Sequence, residues 1–234
     1  MLLPRLRAEV LEANLELVRR GLVLYTFGNA SGISREDALV VIKPSGVAYE
    51  NMKPRDLVVA DLNGKVVEGN LRPSSDLPTH LVLYKAFLKI GGVSHTHSEY
   101  ATAWAQARKP IPCLGTTHCD YFRGPVPVTD PMTAGEISSA YEENTGHVIT
   151  RLFKNTDPLE VPAVLVANHA PFTWGATPAE ASQNAVILEA VAKIAYLATQ
   201  IHPRASSAGR ALHEKHFLRK HGADAYYGQP KEKK

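Results

Sequence analysis

Cysteine is scarce in this chain: two in 234 residues, Cys113 and Cys119. They form no Cys-x-x-Cys pair and no zinc-finger spacing, so a zinc-finger module and a disulfide-stapled scaffold are excluded. Two free, buried thiols in a reducing compartment are expected instead. No run of about 18 apolar residues occurs, so no membrane span is expected. Arg5, Arg7 and Glu9 interrupt the first residues, which therefore lack the apolar core of a signal peptide. A net charge of +3 is too small to suggest nucleic acid as a partner. There is no Walker A loop and no Gly-x-Gly-x-x-Gly turn, so nucleotide binding is not indicated. These absences leave a cytoplasmic protein that handles something else.

What is present is ordinary globular material, 44% hydrophobic and 21% charged. Its length suits one domain, expected over residues 1–228. A disordered tail is expected over 229–234, which ends Lys231-Glu232-Lys233-Lys234.

Local signals divide the chain into elements. Pro4 opens a helix with Leu6, Val10, Ala13 and Leu17 on one face, and Gly21 stands where a left-handed C-cap belongs. Leu39–Ile42 reads as a strand, and Asn63-Gly64 joins strands 57–61 and 65–68 in a hairpin. A helix over 78–88 ends at Gly91-Gly92, and 93–97 then reads as a strand. Ser98 caps a helix to about Ala107. Thr133 and Glu136 have capping-box spacing before a helix reaching Phe153, as do Thr177 and Glu180 before one reaching Ile201. Residues 161–168 read as an apolar strand that Ala170-Pro171 breaks, and 207–221 as a last helix. Strands mixed with helices and a hairpin predict a single α/β domain whose central sheet, mixed or antiparallel, is covered by helices.

His95 and His97 carry the strongest chemical signal. Side chains two apart on a strand share a face, with origins about 7 Å apart, so two imidazoles can converge on one ion. His169, at the end of an apolar strand, is the best third ligand, and Asp76 is a fourth ligand or a neighbour of the ion. Three histidines with an open position suit a catalytic metal, zinc rather than magnesium. His80, His147 and His202 have no such context and read as surface or structural residues. Three small-residue loops suit a phosphate: 28–32 with Gly28 and Asn29, 43–46 with Lys43, Ser45 and Gly46, and 73–76 with Ser74 and Ser75. Glycine and hydroxyl residues let backbone N–H groups approach phosphate oxygens, and Lys43 adds charge.

Several ordered blocks resemble the class II aldolase and adducin superfamily, and within it the L-ribulose-5-phosphate 4-epimerases, over nearly the whole chain. They are Thr26-Phe27-Gly28-Asn29, Lys43-Pro44-Ser45-Gly46, Pro73-Ser74-Ser75-Asp76 and His95-Thr96-His97-Ser98. They continue with 115–122, 171–175, 216–222 and 225–229. The resemblance implies a class II aldolase-like αβα domain and one zinc per subunit on His95, His97 and His169, with Asp76 as further ligand or neighbour. It implies phosphate held by Asn29, Ser45, Gly46, Ser74 and Ser75, and acid–base roles for Asp120 and Tyr227. Thr116, His216 and Arg219 are further candidates. It also implies a cyclic homotetramer with active sites between subunits, a phosphorylated pentulose as substrate, and arabinose use as the common setting. Members often carry a second histidine and a glycine around the third ligand, where this chain has Ala167 and Ala170.

The epimerisation at C4 that the resemblance implies is hard by proton abstraction, because no carbonyl adjoins C4. The C2 ketone instead activates the C3–C4 bond for retro-aldol cleavage, and re-addition to the rotated aldehyde inverts C4. Three rivals share parts of this pattern. One is an L-fuculose-1-phosphate aldolase-like enzyme, in which a glutamate stands where this chain has Asp76. The others are an adducin-like binding domain without chemistry, and a Schiff-base aldolase using Lys43.

Overall fold

Residues 1–227 are described by a computed structural model; the expected tail, 229–234, lies outside them. Seven strands make one sheet in the order β4-β3-β2-β1-β5-β7-β6, and every neighbouring pair is antiparallel. They are β1 (Asn29–Ser34), β2 (Leu39–Ile42), β3 (Val58–Asp61), β4 (Val66–Glu68), β5 (Gly92–His95), β6 (Ala163–Leu165) and β7 (Pro171–Gly175). The helices are α1 (Pro4–Arg19), α2 (Leu77–Ala86), α3 (Glu99–Gln106), α4 (Thr116–Cys119), α5 (Ala134–Ser138), α6 (Tyr141–Leu152), α7 (Pro178–Ile201) and α8 (Arg210–His221).

Alternation along the strands shows why both faces are covered. Val40, Ile42, Val58 and Ala60 join Leu81 and Tyr84 of α2 in the main core. The residues between them, Val41 and Val59, pack instead with Val10 of α1, Tyr49 and Leu57. Apolar side chains on both faces turn the period-two signal into a continuous apolar run. The result is the helix-covered α/β domain expected from the sequence, with the sheet wholly antiparallel.

Several local readings need correction. Asn29–Ser34 is a strand, although its small residues read as a loop. A Cβ on Gly32 would stand 2.7 Å from Pro178 Cγ and 2.8 Å from Leu6 Cδ1, so glycine there admits two helices. Gly92 does not end a helix but begins β5, where a Cβ would meet the Pro178 backbone at 2.5 Å. Pro171 does not simply break a strand; it opens β7, a position where proline costs no ladder hydrogen bond. The strand before it is only Ala163–Leu165, and Asn168 turns the chain at φ 62°. The helix begun by the Thr133–Glu136 capping box stops at Ser138, and a second one starts at Tyr141. The last helix starts at Arg210 rather than 207.

Caps also differ in detail. Ser98 occupies the N-cap of α3 without a side-chain cap. Glu189 of α7 instead accepts the Tyr100 and Ala101 amides at 2.8 and 2.9 Å. Among the described residues, α7 alone is long and apolar enough to cross a membrane by length and composition. It is a core helix of the sheet, however, with Leu188, Val191, Ala192 and Ala195 in the main cluster.

Candidate active site

Antiparallel pairing gathers the chemical residues at one end of the sheet. Asn29, at the start of β1, pairs with His95 at the end of β5, and His95 pairs in turn with Phe172 of β7. His97 lies two residues beyond the end of β5 rather than within it, and His169 lies in the β6–β7 turn. The His95 Nε2 and His97 Nε2 atoms are 3.1 Å apart, and one nitrogen from each of the three rings falls within 4.8 Å of the others. Two nitrogens on a tetrahedral zinc stand about 3.3 Å apart, given bonds of about 2.0–2.1 Å. The donor set therefore fits a cation of that class. Nδ1 of His169 is buried with no hydrogen-bond partner, as a ring shaped for a ligand rather than for the protein would be.

Burial, reinforced by His95 and His97, pushes the His169 pKa down to about 3, and burial with His95 lowers that of His97. Both rings are thus neutral near neutral pH, the form that binds metal. Asp76 stands outside the histidine cluster. Its Oδ2 accepts the Asn29 amide at 2.6 Å. Burial raises the Asp76 carboxyl, but His95, His80 and that amide outweigh it and hold it below the usual range.

The two other loops are sewn together. Ser45 N donates to Arg72 O and Ser74 N to Lys43 O, both at 2.9 Å, which takes these two amides from any phosphate. The hydroxyls of Ser45, Ser74 and Ser75 remain, with Lys43 at the wall. Burial lowers the Lys43 pKa. Its ammonium lies 4.6 Å from the Tyr49 ring centroid and donates to Pro44 O at 3.3 Å. Gly28, Asn29, Lys43, Ser45, Gly46, Ser74, Ser75, Asp76 and the three histidines all line one cavity of about 430 Å³.

Asp120, Tyr227, Thr116, His216 and Arg219 do not line it. They belong to a separate cluster between α4 and α8. Arg219 grips both Asp120 oxygens, at 3.0 and 2.7 Å, and His216 Nδ1 is 3.0 Å from Oδ1. Burial raises the Asp120 carboxyl, but Arg219 and His216 prevail and lower it. Arg219 and Lys220 sit 4.9 and 4.3 Å from the Tyr227 ring centroid. Thr116 is exposed and accepts the Asp120 amide through its carbonyl.

Two cavity residues escaped the sequence reading. Tyr141, whose ring centroid is 6.2 Å from that of His169, and Glu142 enter where α6 begins. A helix read as unbroken through 140 hides them. Of the histidines read as surface or structural, His80 is structural: it is fully buried, with Nδ1 2.7 Å from Ser31 Oγ. His147 and His202 are exposed.

Fold and site together define an αβα domain with a three-histidine cluster able to hold a metal, beside a polar cavity. A family model described as class II aldolase and adducin N-terminal domain matches residues 8–196, and the chain belongs to that family. Among solved structures, an L-fuculose 1-phosphate aldolase is 29% identical, with a TM-score of 0.76 over 91% of this chain and 94% of that one. The L-fuculose-1-phosphate aldolase from Thermus thermophilus is 26% identical, with a TM-score of 0.67 over 88% and 99%. The L-fuculose 1-phosphate aldolase from Glaciozyma antarctica shares the fold at 18% identity, with a TM-score of 0.75 over 92% and 81%.

Proposed function

We propose that this chain is a zinc-dependent sugar-phosphate 4-epimerase, interconverting L-ribulose 5-phosphate and D-xylulose 5-phosphate. The observation that carries the reading is Asp76. It is one methylene shorter than the glutamate expected of the aldolases, it lies outside the histidine cluster, and it is tied to Asn29. A carboxylate so held is poorly placed to work as a base on a donor fragment.

His95, His97 and His169 would hold the ion, which when bound supplies Lewis acidity toward the C2 ketone. The chain's own groups do the rest. Lys43 and the serine hydroxyls bind the phosphate and keep glycolaldehyde phosphate in place once the C3–C4 bond has broken. One acid–base group takes the C4 hydroxyl proton as that bond breaks. After the aldehyde rotates, the bond re-forms on its other face, and a second group returns a proton to the C4 oxygen. One side chain cannot reach both faces within hydrogen-bond distance, so two are required. Asp120 and Tyr227 take these roles, one on each face.

Neither lines the cavity of its own chain, which supports a cyclic homotetramer where a neighbour's α4–α8 cluster completes each site. The two free thiols support a cytoplasmic setting.

The aldolase reading is favoured by one observation, the likeness to two L-fuculose 1-phosphate aldolases at 29% and 26% identity. The deciding experiment assays purified, metal-loaded protein in parallel on both substrates. Conversion of L-ribulose 5-phosphate to D-xylulose 5-phosphate is expected. Release of free aldehyde from L-fuculose 1-phosphate, with no pentulose interconversion, would select the aldolase.

A further inference from the structure

A second group of metal-ligating side chains stands apart from the cavity. Cys113, Cys119 and His213 each offer a ligand atom, and these atoms lie within 4.8 Å of one another. They come from three places: the segment before α4, the last residue of α4, and the first turn of α8. Both thiols are free and buried, with their sulfurs 3.4 Å apart. We propose that this group is a second cation site, for a thiophilic divalent ion of the zinc class, which clips α8 onto the body of the domain.

Geometry favours an ion over a disulfide. Two sulfurs each about 2.3 Å from a tetrahedral zinc lie about 3.8 Å apart, so the pair need open only by a few tenths of an ångström. A disulfide would require closure to about 2.05 Å, a movement of more than an ångström within packed surroundings.

Charge favours it too. Uptake of a divalent ion releases two protons, one from each thiol, while the histidine binds as a neutral ring. The product has two thiolates, one imidazole and a doubly positive ion, so its net charge is zero. A neutral centre can be buried without a counter-ion, whereas an unpaired buried charge is costly. Sulfur and imidazole donors select zinc-like ions over magnesium or calcium, which need oxygen.

The surroundings hold the donors in place. His213 Nε2 lies 3.1 Å from both Gly124 N and Phe122 O, so the 122–124 backbone holds the ring; a neutral ring that ligates through its other nitrogen donates its Nε2 proton to Phe122 O. Ala208 N donates to Cys113 O at 2.8 Å, tying the approach to α8 to the first cysteine. His118, next to Cys119, spends Nε2 on Gly124 O at 2.7 Å and leaves Nδ1 buried with no partner. The helix so clipped carries His216 and Arg219, which hold Asp120.

The probe is cobalt(II) alone, titrated into the full chain after chelation and reduction. A second equivalent per chain is expected beyond the one at the histidine cluster. It should bring thiolate-to-cobalt charge-transfer absorption in the near ultraviolet, which a three-histidine centre has no sulfur to produce. Cys119→Ser and, separately, His213→Gln should each lose that band or weaken its cobalt affinity at least about tenfold, while His97→Asn keeps it. Absence of the band in reduced wild-type protein overturns the proposal whether or not either variant folds. A band unchanged in both variants overturns it as well. Failure of the histidine cluster would show separately, as loss of the other equivalent with the band intact.

Discussion

His95 donates its Nδ1 proton to the carbonyl of Pro171, 2.9 Å away across the β5–β7 pair. A carbonyl can only accept, so the ring's tautomer follows: Nε2 keeps its lone pair and faces His97. Phe172 stacks on the same ring at 4.1 Å and 17°, which fixes its plane. The sheet register thus decides which nitrogen is offered to an ion.

Removing one of the three rings should empty the site. In His97→Asn, metal affinity is expected to fall by at least about 10–100-fold, and activity with it. Metal analysis after dialysis, alongside a folded circular dichroism spectrum, checks this. Full metal content and full turnover in that variant would remove His97 from the site.

Gly28 and Gly46 both take left-handed backbone, at φ 81° and 68°, but in different surroundings. A Cβ on Gly28 would stand 2.9 Å from His95 O and 3.0 Å from Val23 Cγ1; on Gly46 it would meet nothing within 4 Å. Gly46→Ala is therefore expected to cost only backbone strain, about 1–2 kcal/mol. Gly28→Ala should cost more and also weaken metal binding, because the strand end that carries His95 must shift. Denaturant midpoints compare the two, and equal losses would contradict the packing argument.

Lys43 sets a pH dependence whose sign is fixed. Burial lowers its folded pKa below the ordinary 10.5, so between those two values the unfolded chain binds more protons. Stability from this group rises as pH increases through that window and is lost as pH falls back through it. Below the window the folded state carries a buried ammonium with one protein acceptor, Pro44 O. Lys43→Met should then be more stable than wild type at neutral pH, and the gap should close toward pH 10.5. The same change should raise the KM for a sugar phosphate. Thermal melts across pH and a kinetic assay test the pair of effects; a destabilised methionine variant at neutral pH would refute the first.

Asp120→Asn and Tyr227→Phe should each slow turnover by about 10²–10⁴-fold with normal metal content. Because neither residue lines its own chain's cavity, lesions on the two sides should complement each other. Co-expressed His97→Asn and Tyr227→Phe chains in a closed ring should recover about a quarter of the sites, half times half. No recovered activity in a verified mixed oligomer would sink the shared-site reading.

Signals of the chain's own local chemistry were legible. Gly21 ends α1 in the left-handed region at φ 67°, Gly64 turns the β3–β4 hairpin at φ 84°, and Thr177 accepts the Glu180 amide at 3.1 Å. Half of that second capping box was misread, since the Glu180 carboxylate goes to Ala176 N rather than back to Thr177. Each of these features is settled by residues within one turn of each other.

By itself the sequence determined which residue types could ligate a cation or bind a phosphate, the histidine spacing, and the starts of α1, α5 and α7. Only the tertiary structure decided that Gly32 and Gly92 belong to strands, because what requires glycine there is a helix packed on top, distant in the chain. It alone broke the helix before Tyr141 and so brought Tyr141 and Glu142 into the cavity wall. It alone divided the candidate residues into a cavity group and an α4–α8 group, and set Cys113 and Cys119 against His213. Local propensities act over a few residues, whereas each of these outcomes depends on chain segments that meet only once the sheet has closed its register.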